Sequence, residues 1–175
     1  MNVFNLNTYS KNIFVDFDNT MYVWDNSPRT EPSTTDHIDW LASSIKDPFG
    51  QYYDADNLND CLIIEYLKKA KNAGSKIVLF TWTTFSSEGK AKFNFINSIH
   101  SNLVDDWVSV SSIDAKVEYL LAFERAGNDR NDMLVIDDDV TAIDKIYKAK
   151  FNIQTPQCIM NLIYKQIRED IICKR

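Results

Sequence analysis

The amino-acid sequence predicts an α/β protein whose core is a three-layer α/β/α, doubly wound parallel sheet. Short apolar segments rich in β-branched residues alternate along the chain with longer segments of helical periodicity. Such alternation favours a parallel sheet whose crossover helices cover both faces. The 175 residues, of which 45% are hydrophobic and 25% charged, have the size and composition of one ordinary globular domain. We therefore expect residues 1–175 to form a single domain.

Five segments are predicted to be strands: 13–15, 76–80, 107–110, 133–136 and, more weakly, 151–154. Each of the first four is a short apolar run with the length of a buried strand, and polar residues follow it. The fifth segment is stopped by Pro156, because proline cannot donate a hydrogen bond to a sheet.

Five further segments are predicted to be helices: 60–72, 85–100, 115–126, 141–148 and 157–171. In the first, apolar residues recur at i, i+3 and i+4 spacing from Leu62 to Ala70. Gly74 follows as a C-terminal stop, since glycine readily adopts the left-handed conformation that ends many helices.

Residues 21–59 differ in composition from the rest of the chain. They contain three of the four prolines, many Asp, Asn, Ser and Thr residues, and one plausible helix at 37–45. The segment is too short for an independent domain, so we expect a small cap or flap inserted after the first strand. Several aromatic residues would either line the mouth of a site or form a small core of the insertion: Tyr22, Trp24, Trp40, Tyr52 and Tyr53.

Several classes of protein are disfavoured by composition. No run of about 18 apolar residues is present, so no membrane span is expected, and the N-terminus does not resemble a secretion signal. The net charge of −6 disfavours a general nucleic-acid-binding protein. Cys61, Cys158 and Cys173 are scattered, which disfavours a zinc site or a disulfide framework. A cytoplasmic location is expected, and no feature predicts the oligomeric state.

Polar side chains follow each of the four stronger strands. In doubly wound sheets, ligands bind at the carboxyl ends of the strands, near the point where the strand order reverses. The candidates for a site at this edge are therefore the following residues: Asp16, Asp18 and Thr20 after the first strand, Thr81 after the second, Lys116 after the third, and Asp137, Asp138 and Asp139 after the fourth.

These residue types suit the chemistry of a phosphate ester. A carboxylate can attack phosphorus and form a mixed anhydride, which divides a slow hydrolysis into two easier steps. An anionic nucleophile needs a cation to approach a phosphate, and Mg²⁺ prefers carboxylate, phosphate and water oxygens. A threonine hydroxyl, backbone N–H groups and a lysine ammonium group can stabilise the remaining negative charge.

Four of these segments resemble, in chain order, the four motifs of the haloacid dehalogenase (HAD) superfamily of phosphotransferases. The Asp-x-Asp-x-Thr motif is matched by 16–20, the second motif by 77–81, the lysine motif by Lys116, and the acidic motif by 134–138. The resemblance covers about residues 12–155 and implies a Rossmann-like HAD core with a magnesium cofactor.

The resemblance implies a role for each residue of the first motif. Asp16 is expected to be the nucleophile and a magnesium ligand. Asp18 is expected to protonate the leaving-group oxygen and then to accept a proton from the attacking water, while its backbone carbonyl contacts the metal. Thr20 is expected to support the loop.

The later motifs are expected to bind the phosphoryl group and the metal. The phosphoryl oxygens would be held by Thr81, the backbone N–H of Trp82 and Lys116. Asp138 would bind the metal directly, and Asp137 would contact metal-bound water or Lys116.

The register of the three consecutive aspartates is open by one residue, because Asp139 is also a candidate N-cap for the helix predicted from Thr141. Asp137 and Asp138 are favoured for the site because Ile136 is the last apolar residue of the strand.

The implied function is that of a magnesium-dependent phosphatase acting on a phosphate monoester through an aspartyl-phosphate on Asp16. The segment 136–138 resembles the nucleotidase and polynucleotide-phosphatase branches, which favours a nucleotide or a phosphorylated nucleic-acid end as substrate. A phosphoprotein or a sugar phosphate is the alternative.

Two hypotheses from other classes are weaker. A receiver-type signalling module also uses an aspartate acceptor, a threonine and a lysine, but there the acidic pair comes first and the lysine last. A catalytically silent HAD-like binding protein lacks support, since every expected catalytic position is filled.

Overall fold

The computed structural model describes residues 9–21, 58–83 and 86–173. The insertion predicted at 21–59, its helix at 37–45 and its aromatic residues therefore lie outside the described residues, apart from Met21 and positions 58 and 59. The role of this segment as a cap or flap stays a prediction.

The described chain alternates strands and helices as the sequence predicts. Its elements are, in chain order, β1 (Asn12–Val15), α1 (Leu58–Asn72), β2 (Lys76–Trp82), α2 (Ser86–Ile99), β3 (Asp106–Val110), α3 (Ile113–Arg125), a 3₁₀ turn (Arg130–Asp132), β4 (Met133–Ile136), α4 (Val140–Lys148), β5 (Ile153–Gln154) and α5 (Pro156–Cys173).

The five strands form one parallel sheet in the order β3-β2-β1-β4-β5. In β1, Val15 lies opposite Leu79 of β2 on one side and Ile136 of β4 on the other. The chain adds strands in one direction from β1 to β3 and then returns to place β4 on the other side of β1. The strand order therefore reverses between β1 and β4, which is where a doubly wound sheet forms its ligand crevice.

Alternate residues of the central strands point to opposite faces of the sheet, as the pleat requires. Val15 and Leu79 pack in a cluster with α1, α2 and α5, whereas Phe14 and Phe80 pack in a second cluster with α3 and α4. Both faces are thus covered by helices. The three-layer α/β/α architecture predicted from the sequence is confirmed.

Several element boundaries differ from the prediction by one or two residues, and two of these differences have a cause in local hydrogen bonds or backbone conformation. Helix α3 begins at Ile113 rather than residue 115, because the Ser112 side chain accepts a hydrogen bond from Ala115 N and caps the helix two residues earlier. Strand β5 is shorter than expected, because Lys150 has a φ of +66° and Phe151 N donates to Ile146 O at the end of α4.

Within the described ranges, no helix is both long enough and apolar enough to cross a membrane. Cys158 is an exposed free thiol.

Candidate active site

An open cleft of about 210 Å³ lies at the carboxyl edge of the sheet, beyond the ends of β1, β2 and β4. Seven of the nine residues named as candidates for the site line it: Asp16, Asp18, Trp82, Lys116, Asp137, Asp138 and Asp139. Thr20 and Thr81 are buried behind this lining. The parallel topology therefore brings together residues that are up to 123 positions apart in the chain, from Asp16 to Asp139.

Lys116 lies between two carboxylates at the base of the cleft. Its Nζ donates to Asp16 Oδ1 at 3.1 Å and to Asp137 Oδ2 at 2.6 Å. The side chain is only 3% exposed, and a buried ammonium group is strongly disfavoured unless it is paired. Burial would lower the pKa of Lys116, but Asp16 and Asp137 raise it above the ordinary lysine value, so the side chain keeps its proton.

Asp16 occupies the first position beyond β1, where its backbone N–H still donates to Ile136 O at 2.9 Å. Burial raises the pKa of the Asp16 carboxyl to about 7; Lys116 opposes the rise, and the carboxylates of Asp137 and Asp18 add to it. A divalent cation bound here would favour the charged carboxylate that a nucleophile requires.

Three carboxylates are close enough to hold one metal ion. Asp16, Asp137 and Asp138 each offer an oxygen, and these atoms all lie within 4.8 Å of one another. Both carboxylate oxygens of Asp137 accept hydrogen bonds: Oδ2 accepts from Lys116 Nζ, and Oδ1 accepts from Asp139 N at 3.0 Å. This arrangement of hard oxygen ligands suits Mg²⁺.

Thr20 joins the loop after β1 to the loop after β4. Its Oγ1 donates to Asp138 Oδ1 at 2.9 Å. The turn that brings Thr20 to this place includes Asn19, whose φ of +56° is left-handed, a conformation that asparagine tolerates better than most residues. Burial raises the pKa of Asp138, and the hydrogen bond from Thr20 opposes the rise.

Asp139 has a different environment from the two aspartates before it. Its side chain accepts hydrogen bonds from Thr141 N at 2.7 Å and Ala142 N at 2.9 Å, so it is the N-cap of α4. These bonds satisfy two N–H groups that have no partner inside the helix.

The two residues predicted at the end of β2 lie in different environments. Thr81 is fully buried, and within the described part of the chain its hydroxyl has no hydrogen-bond partner. Trp82 is 55% exposed and lines the cleft, with its indole Nε1 donating to Ser111 O at 3.0 Å. A rigid aromatic surface therefore stands beside the carboxylates.

A buried lysine that the motifs in the sequence did not predict contacts the site. Lys92 of α2 is 0% exposed, and its Nζ donates to Asp18 Oδ2 at 2.7 Å and lies 3.1 Å from Glu88 Oε1. A signal was present, because Lys92 stands three and four residues before Phe95 and Ile96, on the apolar face of its helix. Glu88 four residues earlier marks its partner.

No protein-family model and no curated protein matches the chain. Among solved structures, it resembles the N-terminal part of the protein BF1531 from Bacteroides fragilis, which contains a phosphatase domain and was crystallised with Mg. The TM-score is 0.53 at 14% sequence identity, over 89% of this chain and 39% of that one. This chain thus spans well under half of that structure. At this identity the likeness shows the fold alone, and it agrees with the Rossmann-like α/β core that the sequence predicts.

Proposed function

We propose that this protein is a magnesium-dependent, HAD-like phosphatase that hydrolyses a phosphate monoester through an aspartyl-phosphate on Asp16. The main support is the contact of Lys116 with both Asp16 and Asp137, beside Asp138, at the point where the strand order reverses. Nucleophile, cation site and phosphate-binding lysine would thereby share one cleft. The solved structure with the same fold contains a phosphatase domain and Mg, which agrees with this proposal.

The metal would be held by the carboxylates of Asp16 and Asp138 and by the backbone carbonyl of Asp18. Bound Mg²⁺ supplies positive charge that offsets the repulsion between the carboxylate nucleophile and the phosphate. Asp137 is assigned a supporting role, because both of its oxygens already accept hydrogen bonds, one of them from Lys116. Thr20 would fix the orientation of Asp138 through the bond to its Oδ1.

The reaction would proceed in two steps. A carboxylate oxygen of Asp16 forms a bond to phosphorus while the bond from phosphorus to the leaving-group oxygen breaks, and Asp18 gives its proton to that oxygen. Water then attacks phosphorus as Asp18 takes one of its protons, which releases phosphate and restores Asp16. In both steps, the phosphoryl oxygens would be held by Lys116, Thr81 and the backbone N–H of Trp82.

The favoured substrate is a small phosphorylated molecule with a planar group, such as a nucleotide, or a phosphorylated nucleic-acid end. Trp82 supports this substrate class, because its indole is exposed at the cleft and is fixed by its hydrogen bond to Ser111 O. A nucleobase can stack on such a surface, whereas a sugar phosphate or a phosphoserine peptide gains less from it.

A panel of phosphate monoesters tests this proposal. We expect phosphate release in the presence of Mg²⁺ from nucleotides or from 3′- or 5′-phosphorylated oligonucleotides, at higher kcat/KM than from sugar phosphates or a phosphopeptide. Chelation of the metal is expected to abolish release. Binding without turnover of any ester would favour the silent binding protein, and turnover that survives the chelator would argue against the metal mechanism.

A further inference from the structure

Helix α2 places an ion pair directly under the loop that follows β1. The Nζ of Lys92 lies 2.7 Å from Asp18 Oδ2 and 3.1 Å from Glu88 Oε1. The three side chains are 0%, 30% and 12% exposed, respectively, so the lysine is the most deeply buried of them. A charged hydrogen bond at this distance restricts the rotation of the aspartate side chain.

The position of the lysine is itself fixed by packing. Its Nζ lies 5.2 Å from the centre of the Phe17 ring, and Phe17 packs edge-on against Phe95 with the ring centres 6.4 Å apart. Glu88, Lys92 and Phe95 lie at i, i+4 and i+7 on one face of α2, and this face lies against the loop. The ammonium group is therefore held by helix and loop together.

Stability alone does not account for a charge in this place. Removing an ammonium group from water is costly, and well-packed apolar residues usually match or exceed the stability of a buried ion pair. The neighbours Phe17, Phe95 and Ile96 are all buried and apolar, so a methionine at position 92 would suit the packing. The contact of Lys92 with Asp18 of the cleft points to a functional role for the buried charge.

We infer that Lys92, itself held by Glu88, is a positioning residue that fixes the carboxyl group of Asp18 for proton transfer to the leaving group. This inference rests on the proposed phosphatase function. As the bond from phosphorus to the leaving oxygen breaks, that oxygen takes the proton of Asp18, and the transfer requires a defined donor position. Displacement of a catalytic group by about 1 Å can cost on the order of 100-fold in rate.

The test uses leaving groups that differ in their need for a proton. An alkoxide, as from a nucleoside 5′-monophosphate or glycerol phosphate, needs the proton of Asp18, whereas p-nitrophenolate departs without it. The quantity to compare is kcat/KM, because it covers only the steps up to release of the alcohol. The double variant Glu88→Gln/Lys92→Met removes both helix charges together, so that neither remains buried without its partner.

For this variant we expect kcat/KM to fall by about 10- to 100-fold with the alkyl phosphate and by less than about threefold with p-nitrophenyl phosphate. Lys90→Met is the matched control, because Lys90 is an exposed lysine of the same helix; it is expected to change neither value. Thermal unfolding of each variant checks that the fold is intact.

The positioning role of Lys92 would be overturned if kcat/KM of the double variant fell equally with both substrates, or fell with neither. The proposed function fails separately from this inference: in that case the unsubstituted protein turns over neither substrate. The single variant Lys92→Arg, assayed with the same two substrates, provides a second test. A cation retained at position 92 is expected to recover part of the alkyl phosphate activity, and recovery confined to the aryl substrate would contradict the inference.

Discussion

The three consecutive aspartates after β4 have three different surroundings. Asp137 accepts hydrogen bonds from Lys116 and Asp139 N, Asp138 accepts one from Thr20, and Asp139 caps α4. Asp138 is half-buried, whereas Asp137 is buried, and both line the cleft. These contacts separate a candidate metal ligand from a residue that supports the lysine and from one that stabilises a helix.

Part of this assignment could be predicted from the sequence. Asp16 and Asp137 directly follow buried apolar strands, so their place at the carboxyl edge follows from the strand pattern alone. The sequence favours one set of roles for Asp137, Asp138 and Asp139 but leaves the register open by one residue, because the roles depend on where the first turn of α4 begins. That boundary is set by hydrogen bonds that the residue pattern does not specify.

Separate alanine substitutions of Asp138 and Asp139 are expected to affect different properties: the first lowers activity and Mg²⁺ binding, and the second lowers stability. Asp138→Ala removes a proposed metal ligand, so activity should fall at least about 100-fold and the increase in Tm on adding Mg²⁺ should disappear. Asp139→Ala removes an N-cap, so the free energy of unfolding should fall by about 1 kcal/mol while most of the activity remains. Urea unfolding, thermal unfolding with and without Mg²⁺, and steady-state kinetics measure these effects. If Asp139→Ala instead abolished the Mg²⁺ response, the metal register would be shifted by one residue.

At the scale of the elements, the end of β2 is a boundary of functional interest that differs from the prediction. Backbone pairing of Thr81 and Trp82 with Ser109 and Val110 carries β2 two residues beyond residue 80. The pleat then turns Thr81 into the buried face and Trp82 toward the cleft. The strand pattern predicts that β2 exists, but the length of its pairing depends on β3 and could not be predicted from β2 alone. The phosphate-binding role of Thr81 stays a prediction.

Helix α2 shows a second limit of sequence reasoning. Its amphipathic pattern identifies a helix, yet Lys92 lies on the face that packs against the loop at 16–20. Long charged residues usually mark the solvent face of a helix. The contact with Asp18 becomes visible only once the helix is placed against the sheet.

The end of α2 makes stability depend on pH through His100. Burial lowers the pKa of His100 to about 4, and the positive charge of Lys68 adds to the fall. Between the ordinary value of 6.5 and about 4, the unfolded chain binds a proton that the folded protein does not, so stability is lost as the pH falls through this range. Because His100 is partly exposed, solvent screening limits the effect to the order of 1 kcal/mol.

The variant His100→Gln tests this dependence. Its free energy of unfolding, measured in urea at pH 7.5 and pH 5, is expected to fall less on acidification than that of the unsubstituted protein. Titration of the carboxylates is common to both proteins and cancels in the comparison. An equal fall in both would show that His100 does not contribute.

At the scale of the molecule, the order β3-β2-β1-β4-β5 determines where the site can form. The alternation of strands and helices predicts a parallel sheet, but not which strands are neighbours, because that depends on which face each crossover helix covers. Helices α1 and α2 pack on one face and α3 and α4 on the other, so the chain reverses beside β1. This reversal brings Asp16 and Asp137 side by side.

The same architecture occurs at 14% identity in a solved structure that contains a phosphatase domain. Such a low identity is compatible with one fold, because a core tolerates extensive exchange of apolar residues when pattern and volume are kept. Fold alone does not fix function, so a phosphatase activity has to follow from the chemistry of Asp16 and its neighbours.

The most direct test of the central claim is the capture of the phosphorylated residue. The protein is mixed with p-nitrophenyl phosphate and Mg²⁺ and quenched in acid, and its peptides are examined by mass spectrometry. We expect the mass of one phosphoryl group on the peptide that carries Asp16, removable by hydroxylamine as for an acyl phosphate, and neither label nor turnover in Asp16→Asn. A phosphoryl group on another residue, or turnover by Asp16→Asn above a few per cent of the unsubstituted rate, would contradict the account.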